Sequence, residues 1–468
     1  MNINFKGVGE KLRVVPFYFN TMKIKKSTHD FSILSRYGLN IVLFILVFIL
    51  PITSAIAQES YESYYNKGND YASKGQWDAA IQNYSKAIEL NPKDAETYNN
   101  RGNAYAEMGQ LRLAINDFTK VIELNPKYAD AYSNRGITYI DTGQLDLAIK
   151  DLDKAIELNP TVAAYYNNRG NACRKKGQLD AAIQNYDKAI GINPTYAEAF
   201  TNRGQIFTDK EQFEAALKDF NKAIELNPKD TAAFYNRGNI YKNKREFDLA
   251  IQDYTKAIDL NPKDNNSYNN RGNTYLDKGQ FELAIQDFNK ALELNPRYAT
   301  AYINRGIAYY EKGEFDLAIQ DYNKAMVLNP KDAYTYNNRG NAYRKKGKLE
   351  LAIQDFTNAI KINPKFAPAH NNRGNAYSDK GQLDLAIRDF TNAIELNPKD
   401  AYDYYYNRGV AYGKKGQLEI ALKDFTKAIE INPRISYSYY GRGITYQKLG
   451  ELEKADQDLK KAKEIDSK

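Results

Sequence analysis

Residues Tyr98–Tyr105 read YNNRGNAY, and residues Tyr336–Tyr343 repeat the same letters. Near copies begin at Tyr166 (YNNRGNAC), Tyr268 (YNNRGNTY) and His370 (HNNRGNAY). Asn, Arg and Tyr all bind and catalyse in proteins, so the stretch spells either a site used many times or a structural part used many times. The glycine after each Asn-Arg pair sets the frame. It falls at Gly102, Gly136, Gly170, Gly204, Gly238, Gly272, Gly306, Gly340 and Gly374, always 34 residues apart. Gly68 extends the series backwards, and Gly409 and Gly443 extend it forwards after one inserted residue near Ala401. Asn-Pro pairs keep the same clock from Asn91-Pro92 to Asn432-Pro433. Self-similarity at such a period marks an array of one supersecondary unit. Twelve repeats result: 61–94, 95–128, 129–162, 163–196, 197–230, 231–264, 265–298, 299–332, 333–366, 367–400, 402–435 and 436–468.

Positions are counted as slots from the first residue of a repeat, so Ala95 is slot 1 of repeat two. Tyr98, Gly102 and Tyr105 then occupy slots 4, 8 and 11, one face of a first helix. Leu111, Ala114, Ile115, Phe118, Val121, Ile122 and Leu124 make the wide apolar stripe of a second. Gly109 supplies the left-handed residue that ends the first helix. Pro126 has no amide hydrogen and stops the second. Repeats five and six hold Glu211 and Arg245 where the others hold that glycine, which predicts a changed turn there. In the last repeat Asp456 and Lys463 replace apolar residues such as Ile81 and Ile88 of repeat one. That polar outer face is what a terminal cap requires, so the array is expected to end there.

Repeat one carries an aromatic, a glycine, a tyrosine, an alanine, an aromatic, an alanine and a proline as Tyr64, Gly68, Tyr71, Ala80, Tyr84, Ala87 and Pro92. This set resembles the tetratricopeptide repeat, and the resemblance covers residues 61–468. It implies an all-α fold, a right-handed superhelical solenoid of twelve helix-turn-helix repeats. It also implies a concave groove, lined by the first helices, that binds a peptide or protein. The arginine at slot 7 departs from the family pattern, which is usually apolar there, yet it recurs in eleven repeats.

The formal charge of +8 is lopsided. Residues 1–57 hold seven Lys/Arg and two Asp/Glu, and the rest of the chain intersperses both signs. Nucleic-acid binding, which needs a clustered basic face, is not expected. Lys23, Lys25, Lys26 and Arg36 precede an apolar run over 41–52, followed by Ser54-Ala55-Ile56-Ala57. This is the layout of a secretory signal peptide cleaved near Ala57. An uncleaved signal anchor over 39–57 is the other reading, although the run is short for a span and Pro51 breaks it. Both place the repeats outside the cytoplasm, as an exported protein, periplasmic or secreted. Met22, which opens MKIKK, is a more typical start for such a leader than Met1.

Slot 6 is asparagine in eleven repeats, among them Asn100, Asn134, Asn168, Asn202, Asn236, Asn270, Asn304, Asn338, Asn372 and Asn407. Slot 9 adds Asn103, Asn239, Asn273 and Asn341. A side-chain amide carries two donors and an acceptor, so a row of them can hold an extended backbone. The same residues can equally satisfy neighbouring helices, and both readings stand. Asparagine ladders that bind peptides occur in the family the chain resembles. The lysine-bearing clamp of its chaperone-binding members is missing from the first helices here. Arg101, Arg135, Arg203 and their equivalents recur with an acid at slot 23, predicting an ion pair between the two helices, while Arg169 faces Asn185. Tyr406 and Tyr440 share slot 5 with Tyr65 and Tyr235 and are candidate binding anchors. Slots 12 and 13 alternate in sign between Arg174, Lys175, Arg344, Lys345 and Lys414 on one hand and Glu107, Asp141, Asp277 and Asp379 on the other.

The repeats contain one histidine, His370, and one cysteine, Cys173, each in an aromatic slot. Neither has a partner that the pattern would fix as nucleophile or base. No metal cluster, phosphate loop or cofactor motif appears, so no catalytic, cofactor or metal residue is expected. The expected function is a non-enzymatic exported scaffold for a peptide or protein partner. A self-associating assembly scaffold of a membrane or envelope complex, and a cell-wall glycan binder, are the alternatives. Membrane contact is expected only through the N-terminal apolar segment.

Overall fold

A computed structural model of the chain describes residues 60–399 and 401–467. The leader, with its signal peptide or anchor, lies outside the described residues. Among those described, the chain is all-α: twenty-four helices run from Tyr61–Ser73 to Leu452–Asp466. No described helix is long and apolar enough to cross a membrane. The helices alternate in length, as in Ala95–Glu107 with 13 residues and Leu111–Leu124 with 14. Two compact units are distinguished, one ending at Lys120 and one starting at Val121. The first holds repeat one and most of repeat two, and the second holds the remainder.

Local chemistry accounts for where the helices start and stop. Asp94 accepts the backbone N–H of Thr97 at 2.8 Å, and Asp230, Asp264 and Asp332 cap their helices likewise. Each cap satisfies a donor that the first turn leaves without a partner. At the far end of the second helices the Asn-Pro pair closes a turn. Asn227 Oδ1 accepts the N–H of Lys229 at 3.1 Å across Pro228.

The turn between the two helices is the same in every repeat, including the two without glycine. Gly279 has φ +72°, and Glu211 and Arg245 have φ of 58° and 62°. The bonds match as well. Gly279 and Gln280 donate to Leu276 and Tyr275 at 2.9 and 2.8 Å, and Glu211 and Gln212 donate to Thr208 and Phe207 at 2.9 and 2.8 Å. The changed turn expected in repeats five and six is therefore absent. Glu211 and Arg245 take the left-handed conformation that glycine takes elsewhere, and the backbone bears the strain.

Inside ten hairpins the ring at slot 24 lies on the glycine at slot 8, and in repeats three and twelve Leu152 and Leu459 take its place. Phe118 is 1 % exposed between Ala114 and Val121, both 0 %. A Cβ placed on Gly102 would stand 2.7 Å from Phe118 Cε1, a separation real carbons do not reach. The glycine of YNNRGNAY is thus a contact requirement, and it puts slots 6 and 7 at a fixed height over the second helix. In the last repeat Asp456 and Lys463 are exposed.

Candidate functional site

The arginine of the quoted stretch is anchored on every side. In repeat seven, Arg271 grips Asp287 of its own second helix, and its Nη1 donates to Thr255 Oγ1 of the preceding second helix at 2.9 Å. Its guanidinium also lies 5.8 Å from the ring centre of Tyr268. Arg101 sits between Tyr98 and Tyr105 at 5.5 and 5.7 Å. Such faces attract a cation, and arginine stacks on them well. The Arg–Asp pair forms in ten repeats, and Arg169 instead donates to Asn185 Oδ1 at 2.7 Å. The expected staple is present, and it is more buried than a surface pair: the Asp side chains are 0–10 % exposed. Burial works against the Arg271 charge, but the hydrogen bonds and attraction of Asp287 outweigh it and hold the guanidinium above its ordinary pKa. In repeat nine burial prevails over Arg339 and raises the Asp355 carboxyl. In repeat ten burial acts the same way on Asp389, but Arg373 together with the nearby His370 lowers it. Tyr, Arg and Gly of the stretch are structure.

The slot-6 asparagines form a ladder, with one rung partner the sequence pattern did not single out. Seven of them reach the slot-5 side chain of the preceding repeat, 35 residues back, or 36 for Asn407 across the inserted residue. Asn202 Nδ2 donates to Asn167 Oδ1 at 3.0 Å, Asn304 to Asn269 at 3.1 Å and Asn372 to Asn337 at 2.9 Å. Asn168 reaches Ser133 Oγ at 3.4 Å, and Asn407 reaches Asn371 Oδ1 at 3.0 Å. Asn100 and Asn270 spend both amide hydrogens, on Tyr65 and Asn69 and on Tyr235 and Asn239. Asn202 spends its second on Glu198 Oε1. The signal for these partners was a polar slot 5 one repeat earlier. Two rungs differ. Asn236 has a buried Nδ2 with no partner, because Thr201 turns to Asp230 Oδ2 at 2.6 Å. Asn338 meets Ile303 at slot 5, which cannot accept. Asn134 lies on the helix Ala129–Asp141, half-buried.

Slot 9 divides according to the ring at slot 24. Where that ring is tyrosine, its hydroxyl donates to the amide: Tyr84 to Asn69, Tyr186 to Asn171 and Tyr254 to Asn239, each at 2.7 Å. Asn239 is thereby committed to the fold. Asn103, Asn273 and Asn341 stand over Phe118, Phe288 and Phe356, which have no hydroxyl to offer. Tyr406 packs against Phe425 and Tyr437, with ring centres 5.7 and 4.5 Å away, and Tyr440 is 56 % exposed. The alternating charges at slots 12 and 13 largely pair off: Arg344 meets Asp379 at 2.7 Å, Lys242 meets Asp277 at 3.6 Å and Lys175 meets Asp141 at 3.9 Å. His370 and Cys173 are buried at 8 % and 5 % exposure.

Three family models match the chain. One described as TPR repeat matches residues 68–109, 170–208, 204–244, 272–313, 306–345 and 340–381. Two described as tetratricopeptide repeat match 95–128, 129–162, 231–264, 367–400 and 402–435, and 152–184, 253–286 and 425–457. No curated protein matches the chain. Among solved structures, the Cut9–Hcn1 hetero-tetramer of the APC/C is 15 % identical with a TM-score of 0.48, over 89 % of this chain and 95 % of that one. MamA is 31 % identical with a TM-score of 0.32, over 35 % of this chain and 95 % of that one. YrrB, described as a TPR protein with an unusual peptide-binding site, is 31 % identical with a TM-score of 0.32, over 38 % of this chain and 92 % of that one. With repeat models running from residue 68 to residue 457 and only position 401 unmatched, the chain belongs to the tetratricopeptide repeat family.

Proposed function

We propose that this protein is a non-enzymatic scaffold that holds an extended peptide, or a segment of a protein partner, along the slot-6 asparagines of its first helices. One observation carries the reading. Asn168, Asn304, Asn372 and Asn407 are each fixed through one Nδ2 bond to the preceding repeat, and each keeps a second amide hydrogen and Oδ1. An amide oriented in this way offers one donor and one acceptor to a peptide backbone, with little ordering left to do on binding. Asn100, Asn202 and Asn270, with both hydrogens spent, contribute at most an acceptor. Asn103, Asn273 and Asn341 at slot 9 extend the polar row, and Tyr406 and Tyr440 border its far end. The layout of residues 1–57 supports export to the periplasm or medium, or anchoring to the outer side of a membrane by 39–57.

The test is capture from a cell-envelope extract by residues 58–468, beside a folded variant with Asn168, Asn304, Asn372 and Asn407 changed to alanine. A partner held by the first and lost from the second supports the reading. Equal capture by both returns these asparagines to the fold and shifts attention to Tyr440 and the terminal repeat. Concentration-dependent self-association with no captured partner favours an assembly scaffold instead.

A further inference from the structure

Repeat eight breaks the hydrogen-bond pattern of the array twice, and both breaks open into one cavity. At slot 9 it holds Ile307, where repeats one, four and six hold an asparagine that accepts the slot-24 tyrosine hydroxyl at 2.7 Å. Tyr322 occupies slot 24 of repeat eight, is 1 % exposed, and has no hydrogen-bond partner among the described residues. At slot 5 the repeat holds Ile303, so the Asn338 amide of repeat nine loses the acceptor that its equivalents Asn304 and Asn372 find. A cavity of about 200 Å³ is lined by Ile307, Tyr310, Glu311, Tyr322, Asn338 and Asn341. Two apolar substitutions have thus left a hydroxyl and an amide as unmatched donors on one wall. Neither atom is sealed from the cavity, so solvent reaches it in the free chain and an arriving acceptor takes the solvent's place.

We propose that this notch between repeats eight and nine recognises a peptide backbone carbonyl flanked by an apolar side chain. The carbonyl accepts from Tyr322 and Asn338, and the side chain lies against Ile307 and Tyr310. The inference rests on the peptide-binding reading above and gives it a register. Three features fix the chemistry. The wall offers donors, so the ligand supplies an acceptor. Glu311 lines the same space, so a neutral carbonyl is favoured over a carboxylate. Burial, reinforced by Tyr310 and Glu311, pushes the Tyr322 hydroxyl well above its ordinary pKa, which keeps it a donor at any physiological pH. The cavity is below the ~300 Å³ at which whole small-molecule ligands are accommodated, and it suits one residue of a longer chain. Asn338 also stands in the slot-6 row between Asn304 and Asn372, each with a donor and an acceptor to spare, so a backbone following that row passes over the notch.

The experiment uses the full-length chain as the target for a display library of random peptides. Affinities of the enriched peptides are then measured on the native chain, on Tyr322→Phe and on Ile307→Asn. Both substitutions install residues that the same slots hold in other repeats, and circular dichroism melts check that the array stays folded. Tyr322→Phe removes the donor, and Ile307→Asn supplies an internal acceptor for it. The expected result is a recurring apolar residue in the enriched peptides and about a tenfold or greater loss of affinity in each variant, from one lost hydrogen bond at a site built to make it. Peptides that bind all three proteins alike overturn the notch and leave the asparagine row standing. If no peptide is enriched on the native chain, both readings fall.

Discussion

Arg271 and Asp287 face each other through two parallel hydrogen bonds, Nε to Oδ2 and Nη2 to Oδ1, both 2.8 Å. The pair joins the first and second helices of repeat seven. Because its Asp side chain is only 8 % exposed, it is not screened as a surface pair would be. Removing Asp287 alone leaves a largely buried guanidinium with only the Thr255 hydroxyl and the Tyr268 ring, a loss of about 3–5 kcal/mol for pairs of this kind. Asp287→Ala is therefore expected to lower the melting midpoint sharply. The double variant with Arg271→Leu should recover part of the loss, with a coupling of about 1–3 kcal/mol. Lys278 and Asp248 provide the contrast, since that carboxylate is 88 % exposed and its removal should hardly move the midpoint. Additive single-variant effects at Arg271 and Asp287 would show that the pair is not a staple.

The two left-handed residues without a glycine yield a gain-of-stability prediction. Glu211→Gly and Arg245→Gly replace side chains held at φ 58° and 62°. The left-handed conformation costs about 1–2 kcal/mol for an L residue, partly offset by the freedom glycine gains when unfolded. Each variant should melt higher than the native chain, by a net ~0.5–1 kcal/mol. Gly102→Ala should do the opposite, because its methyl would need to displace the Phe118 ring, an overpacking cost of about 1–3 kcal/mol. A fall in the midpoint of Glu211→Gly would mean that its side chain makes compensating contacts.

The period of 34 was legible because the same residues recur from repeat to repeat, and the helix pairs, the turn residue and the Arg–Asp staple because each depends on residues within one repeat. The role of the asparagines was only half legible. Whether Asn270 is free or spent depends on Tyr235 and Asn239 of the previous repeat, and a reading slot by slot does not pair slot 6 with slot 5 across that boundary. The changed turn expected at Glu211 failed for a different physical reason. The flanking helices over-determine the turn geometry, so the substituted residue is strained into it and the geometry does not relax.

The hydroxyl of Tyr61 donates to Asp94 Oδ2 at 2.6 Å, and the two groups predict loss of stability at both ends of the pH scale. Burial raises the Asp94 carboxyl, but hydrogen bonds from Thr97 and Tyr61 outweigh it and its pKa ends below the ordinary value. Its contribution is present above about pH 4, where the unfolded carboxyl is ionised, and is lost as pH falls through the lower folded value. Burial first, and then the bond to Asp94, raise Tyr61 to about 12. Its contribution is complete below about pH 10, the unfolded tyrosine value, and disappears as pH rises through about 12. Tyr61→Phe should flatten the alkaline arm contributed by repeat one and make the acid arm less steep. Melting midpoints of the two proteins across pH check this, and superimposable profiles would dismiss the linkage.

Asn270 and Asn338 occupy the same slot and should respond differently to the same substitution. Asn270 donates to Tyr235 Oη at 2.9 Å and to Asn239 Oδ1 at 3.0 Å, bonds that tie repeat seven to repeat six. Asn270→Ala breaks both and leaves partly buried acceptors behind, so a loss of about 1–3 kcal/mol is expected. Asn338 has no such bonds, because Ile303 stands where its partner would be. Asn338→Ala should leave the melting midpoint within ~0.5 kcal/mol of the native chain. In peptide binding the order reverses: Asn338 has its donors to spend on a ligand, and Asn270 has none left. A side chain kept by the array without a structural partner is the one whose loss should be felt only when a ligand is present. Equal destabilisation by both substitutions would mean that slot 6 serves the fold alone.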